Sequence, residues 1–224
     1  MTPTHTPVLL KGRPVIALAG LLLFLMGQGT GCLSSSSKKL GDGHDFGPND
    51  PDLVLAMGDS ITAGGYSGGP PWPARFGGIV GKSVINDGIP GAMSNVGASR
   101  APGLITSRRP GFVIIFYGAN DAIQGISADA TEGSIRAMVN AAKSNQAIPV
   151  LGTVLPMSVS RSIYNGRVDQ INERIRSVGR SESVKVVDLH RVVARDPDRY
   201  LVDGLHLNAA GEELVALEFN DAFN

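Results

Sequence analysis

The run Phe112-Val113-Ile114-Ile115-Phe116-Tyr117 is apolar at every position. A strand with one wet face alternates polar and apolar residues, so six apolar residues in a row demand cover on both faces. A parallel sheet with helices packed above and below supplies that cover. Four further strand candidates, Leu53–Met57, Ser83–Asn86, Val150–Val154 and Val184–Asp188, alternate with amphipathic stretches, as in repeated βαβ units. Ile135, Met138, Val139 and Ala142 share one face of a helix beginning near Ala128. Val168, Ile171, Ile175 and Val178 recur at helical spacing between Arg167 and Gly179, with Glu173, Arg174 and Arg176 facing away. A last helix begins near Ala209, with Leu214, Val215 and Leu217 among its apolar positions. The segment Ser94–Arg108 is the weakest helix, because Gly97 and Gly103 lower propensity and Pro102 breaks the ladder. The expected fold class is α/β.

Composition enters by exclusion. Lys+Arg and Asp+Glu number 20 each, a neutral balance that argues against a nucleic-acid partner, and aromatic residues at 5% are too few for base-stacking platforms. The single cysteine rules out an intrachain disulfide and multi-cysteine zinc sites. At the amino end, Lys11 and Arg13 precede an apolar core from Val15 to Met26 that is shorter than the roughly 20 residues a membrane span needs. Small residues then lead to Cys32 and a polar tract of serines and lysines. Residues 1–32 therefore read as a signal segment. They resemble a bacterial lipoprotein signal, in which the cysteine becomes the lipid-bearing first residue, with Gly29 where such signals usually carry Leu. A plainly cleaved signal and an uncleaved anchor are the alternatives. The resemblance implies an exported chain held at the cell envelope through a lipid on Cys32. Residues 33–51, rich in Ser, Gly, Asp, Asn and Pro, read as a flexible polar tether, and 52–224 as one domain.

The first three strand candidates end in residues that can carry chemistry. Gly58-Asp59-Ser60 follows the first, Asn86-Asp87-Gly88-Ile89-Pro90-Gly91 the second, and Gly118-Ala119-Asn120-Asp121 the third. Asp203-Gly204-Leu205-His206 stands before the final helix. Right-handed crossovers would bring all four to one edge of the sheet, where open α/β sheets bind ligands. Singly, each has a plainer reading: Ser60 as a cap, Gly91 as a turn residue, Asn120-Asp121 as loop-forming side chains, Asp203 and His206 as caps of the last helix with His206 at the surface. In order and together they are harder to dismiss.

These four blocks resemble the SGNH (GDSL-like) hydrolases, with Ile61 where the commoner motif has Leu. The resemblance spans residues 52 to the end. It implies a flavodoxin-like three-layer α/β/α sandwich with a five-stranded parallel sheet of order 2-1-3-4-5, and ester hydrolysis without metal or cofactor. Ser60 would be the nucleophile, His206 its base and Asp203 the carboxylate that orients the imidazole. Ser60 N–H, Gly91 N–H and the Asn120 amide would form the oxyanion hole. The implied partner is a small-molecule, glycan or lipid ester. Acyl transfer to a sugar hydroxyl and a non-catalytic glycan- or protein-binding module remain alternatives on the same fold.

Other residues compete for attention. Asp188-Leu189-His190 also lies at a strand end and forms a rival pair, although Asp188 reads better as a turn residue and His190 as the start of a short helix. The stretch Gly64-Gly65-Tyr66-Ser67-Gly68-Gly69 lacks the Gly-Lys-Ser/Thr of a phosphate loop and reads as a loop beside Ser60. Trp72 reads as core at a helix start, Asp59 and Asp121 as structural carboxylates, and Tyr66, Met93, Ile123 and Tyr164 as pocket candidates.

Overall fold

The computed structural model describes residues 38–224. The signal segment and Cys32 lie outside the described residues. In chain order the elements are β1 (Asp50–Gly58), α1 (Ser60–Ala63), α2 (Trp72–Val80), β2 (Ser83–Gly88), α3 (Ser94–Arg108) and β3 (Pro110–Phe116). There follow α4 (Ala119–Gln124), α5 (Ala128–Ser144), β4 (Ile148–Gly152), a 3-10 turn (Val159–Tyr164) and α6 (Asn165–Glu182). The chain ends with β5 (Lys185–Val187), α7 (Leu189–Val193), α8 (Pro197–Tyr200) and α9 (Ala209–Phe223).

The five strands are parallel and lie in the order β2-β1-β3-β4-β5. This is the flavodoxin-like sheet that the motifs implied. Every residue of β3 is buried, as its unbroken apolar run requires. On one face α2 packs on α9, and on the other α5 packs between α3 and α6. The first face is aromatic: the Trp72 ring stacks on Phe219 at 4.7 Å, and Phe76 meets Phe223 edge-on at 5.0 Å. Trp72 is thus a core residue, 0% exposed. Its backbone N–H donates to the buried Glu212 carboxylate at 2.7 Å, joining the start of α2 to α9.

Three expectations need correction. The tether does not extend to residue 51. Leu40 and Phe46 pack against the core, the Leu40 N–H donates to the Phe223 carbonyl at 3.0 Å, and the Phe46 ring lies 5.3 Å from Phe112. Two apolar side chains in a polar stretch suffice to dock it on the sheet's amino-terminal end, and β1 itself begins at Asp50. Leu217 is 43% exposed, because α9 buries a different stripe through Val215, Ala216, Phe219, Ala222 and Phe223. Three of the strands, β3, β4 and β5, also end one or two residues earlier than the predicted runs, at Phe116, Gly152 and Val187, while β1 and β2 run on to Gly58 and Gly88. Beyond β4, the buried Asn172 amide of α6 accepts from the Val154 N–H at 2.7 Å and donates to its carbonyl at 3.0 Å. A side chain there takes the place of a neighbouring strand.

The segment Ser94–Arg108 forms helix throughout, despite Pro102. Pro102 is exposed, so the missing ladder bond falls on the solvent side. Gly97, Ala101 and Ile105, four residues apart, make the buried stripe. At Gly97 an added Cβ would lie 2.7 Å from the Tyr117 ring and 2.8 Å from Met138 Sδ, whereas at Gly103 it would meet nothing within 4 Å. Gly-to-Ala changes in a helix ordinarily stabilise. Gly103→Ala should follow that rule, by about 0.5–1 kcal/mol, while Gly97→Ala should reverse it, by about 1–3 kcal/mol of overpacking. Urea unfolding of the two variants beside the wild type measures both signs.

Candidate active site

Parallel register sets the site's geometry. Gly58 at the end of β1 pairs with Gly88 of β2 and with Phe116 of β3, so three strands stop at one level and release their loops together. Asp59 caps the one-turn helix α1 by accepting the Ile61 N–H at 2.9 Å, which leaves Ser60 as the first helical residue. The Ser60 Oγ lies 2.9 Å from His206 Nε2. His206 Nδ1 in turn lies 2.9 Å from Asp203 Oδ2. Asp203 Oδ1 accepts the backbone N–H of Leu205 at 3.1 Å and of His206 at 2.8 Å, so the turn shapes itself around its own carboxylate. Burial opposes ionisation of Asp203, but the His206 N–H, the His206 ring and the Leu205 N–H outweigh it and hold the carboxyl down at about 2.

The third strand's loop reaches the same place. The Asn120 amide donates to the Ala92 carbonyl at 3.1 Å and to Asp59 Oδ2 at 3.3 Å, bridging the loop that carries Gly91 and the loop that carries Ser60. Gly91 has φ +77°, and a Cβ built there would meet no protein atom within 4 Å. Within the protein itself the left-handed backbone, and not crowding, is what glycine serves at this position. Among the described residues neither the Ser60 nor the Gly91 backbone N–H has a hydrogen-bond acceptor.

All five residues singled out from the motifs are therefore gathered at one sheet edge. The rival pair is not with them. Asp188 caps α7 through the Arg191 N–H and pairs with Arg176 at 3.1 Å, and His190 faces Asp169 of α6 at 3.5 Å. Of the four pocket candidates, Tyr66 touches the site directly, its ring stacked on His206. One contact had no signal in the sequence. Arg161, in the 3-10 turn, donates to the Asp203 carbonyl at 2.7 Å from 42 residues away. Asp121 accepts from Ser94 N–H and Oγ, and from Thr131 Oγ1, bracing the start of α3 against the Asn120 loop. A cavity of about 590 Å³ lies elsewhere, between residues 40–44 and the amino ends of β4 and β5. Among the described residues no cluster of three or more His, Cys, Asp or Glu side chains is placed to hold a metal ion.

A serine facing an imidazole at the carboxyl edge of this sheet, with an asparagine amide beside it, defines the SGNH class of α/β hydrolases. The family model described as GDSL-like Lipase/Acylhydrolase matches residues 56–214, and the chain belongs to that family. It is a carboxylic ester hydrolase. It is 28% identical over 170 residues to the thioesterase 1/protease 1/lysophospholipase L1 of Escherichia coli (strain K12), covering 74% of this chain and 80% of that one. An arylesterase of Vibrio mimicus is 23% identical over 210 residues, covering 90% and 94%. Among solved structures, a lipase/acylhydrolase from Enterococcus faecalis superposes with a TM-score of 0.67 at 25% identity, covering 75% of this chain and 93% of that one.

Asp59 carries an electrostatic cost. Burial, followed by the nearby Asp121 carboxylate, pushes its pKa from 3.8 up to about 7 against the opposing Ile61 N–H. The folded chain thus keeps a proton that the unfolded chain loses near pH 4, and folding stability falls as pH rises from about 4 to about 7. One such group contributes at most about 1.4 kcal/mol per pH unit. Urea midpoints at pH 5 and pH 7 should therefore converge in Asp59→Asn relative to the wild type, and an identical drop in both proteins would contradict the buried-carboxyl account.

Proposed function

We propose that this hydrolase is a serine esterase that works through an acyl-serine intermediate on small or exposed acyl groups. The observation that carries the reading is the 2.9 Å approach of Ser60 Oγ to His206 Nε2, with Asp203 on the ring's other nitrogen. Asp203 keeps the proton on Nδ1, so that Nε2 is free to act as a base. His206 takes the hydroxyl proton as Oγ attacks the ester carbonyl carbon. The negative charge that forms on the carbonyl oxygen meets the Ser60 and Gly91 N–H groups. Asn120 joins them by exchanging its longer bond, the 3.3 Å contact with Asp59, for the oxyanion. Collapse expels the alcohol, which takes the proton from His206, and water then repeats the sequence to release the acid.

Relatives named as a thioesterase, a lysophospholipase and an arylesterase support an acyl group as the common element. The candidate substrates are short acyl esters, acyl thioesters, lysophospholipids and acetylated glycans. Localisation belongs to the same proposal: the chain is exported and held at the envelope by a lipid on Cys32. A Cys32→Ser protein should leave the membrane fraction, and one that stays there refutes the anchor.

Hydrolysis of p-nitrophenyl acetate tests the mechanism. Ser60→Ala and His206→Ala should abolish turnover, while His190→Ala should retain it. Asn120→Ala should lower kcat roughly a hundred- to a thousandfold, the loss of one oxyanion donor. Equal rates for wild type and Ser60→Ala would instead mark a binding module. A p-nitrophenyl ester series of increasing chain length, run beside acetylated xylan and a lysophospholipid, ranks the substrate classes.

A further inference from the structure

The reaction just described makes no use of Tyr66, yet Tyr66 makes the closest ring contact at the site. Its phenol ring lies face to face on the His206 imidazole, with centroids 3.6 Å apart and planes within 5°. His206 is 8% exposed and Ser60 6%, while Tyr66 is 43% exposed. The imidazole is therefore held in its plane by Ser60 and Asp203 through hydrogen bonds, and on one face by the phenol.

The geometry says which protonation state the stack favours. Two neutral aromatic rings avoid a near-eclipsed sandwich and prefer offset or edge-on contact. A cation over the face of a phenol is attracted to it. The imidazolium that forms when Ser60 Oγ loses its proton is such a cation. A contact that is stronger in that state than in the resting one speeds the chemical step and leaves ground-state binding nearly unchanged. Asp203 faces the ring at Nδ1, and Arg161 Nη1 stands 3.7 Å from Asp203 Oδ2.

The loop that bears Tyr66 is built to present it. Its ends are tied, by the Gly64 N–H to the Ser60 carbonyl at 3.0 Å and by the Trp72 N–H to Glu212 at 2.7 Å. Between them Gly65 and Gly68 take φ +100° and +70° in open space, and Ser67 bonds only to Gly69 within the same loop. Arg75 Nε also donates to the Pro70 carbonyl at 2.9 Å, and between these ties Tyr66 rests on His206.

We propose that Tyr66 is a positioning residue for His206, whose ring keeps the imidazole from tilting and stabilises the imidazolium in both halves of the ester reaction. The proposal rests on the serine-esterase reading. In acylation the Ser60 O–H bond breaks and an Nε2–H bond forms, and in deacylation the proton comes from water. Tyr66 itself exchanges no proton.

The test uses the full chain with Tyr66→Leu and Tyr66→Phe. With p-nitrophenyl acetate, Tyr66→Leu should lower kcat about three- to thirtyfold at little change in KM, and Tyr66→Phe should recover most of the loss. The second readout needs no substrate. The chain has four histidines, three of them beyond residue 32, so selective histidine labelling gives few enough ring signals for assignment by NMR. The signal that His206→Ala removes should lie upfield in the wild type and in Tyr66→Phe, and move downfield in Tyr66→Leu as the ring current is lost. A raised KM with unchanged kcat would make Tyr66 a substrate contact, and a raised kcat/KM would make it an obstructing cover. Either result overturns the proposal, as does a His206 ring signal unmoved in Tyr66→Leu. Failure of the esterase reading looks different: Ser60→Ala then matches the wild type.

Discussion

The parallel pairing of β1 with β2 and β3 is the constraint on which the site depends. Gly58 stands level with both Gly88 and Phe116, so loops that begin 28 to 58 residues apart in sequence leave the sheet side by side. A shift of one residue in either ladder would turn every side chain of β1 to the opposite face and expose part of a fully buried core. The register that keeps Val54, Leu55, Ala56 and Met57 away from water is therefore the register that sets Ser60 beside Asn120 and the Gly91 turn. Stability of the sheet and geometry of the site are one requirement.

Around that edge the protein uses carboxylates in two opposed ways. Asp203 accepts two backbone N–H groups and faces an imidazole, so its charged form is favoured and its pKa falls to about 2. Asp59 and Glu212 are buried with fewer donors, and burial lifts both to about 7. Each of these two adds a hydrogen-bonded tie between elements: Asp59 links Ser60's helix to Asn120, and Glu212 joins the start of α2 to α9, on which it already packs. The site is thus held by polar contacts whose strength comes from low local dielectric, and which cost stability wherever the charge is not fully matched.

Much of this was legible from local order. The all-apolar β3 run, the three- and four-residue spacing of α5 and α6, and the polar blocks closing the strands are properties of neighbouring residues, and each marks its element. The limits of local reading are equally specific. Leu40 and Phe46 look incidental in a polar stretch because their partners, Phe223 and Phe112, stand 183 and 66 positions further along the chain. Gly97 looks like a helix breaker because the Tyr117 ring it admits comes from the residue just past the end of β3. Val154 looks like strand because its true partner is the Asn172 side chain.

The amino-acid sequence by itself determined which elements form, their order, and which residue types close each strand, since period and turn chemistry are short-range properties. Only the tertiary structure decided that Ser60 and His206, 146 residues apart, meet at 2.9 Å, that His190 turns to Asp169 instead, and that Tyr66 lies on the imidazole face. Those outcomes depend on strand register and loop course, which are set by the free energy of the whole packed core and by no single segment.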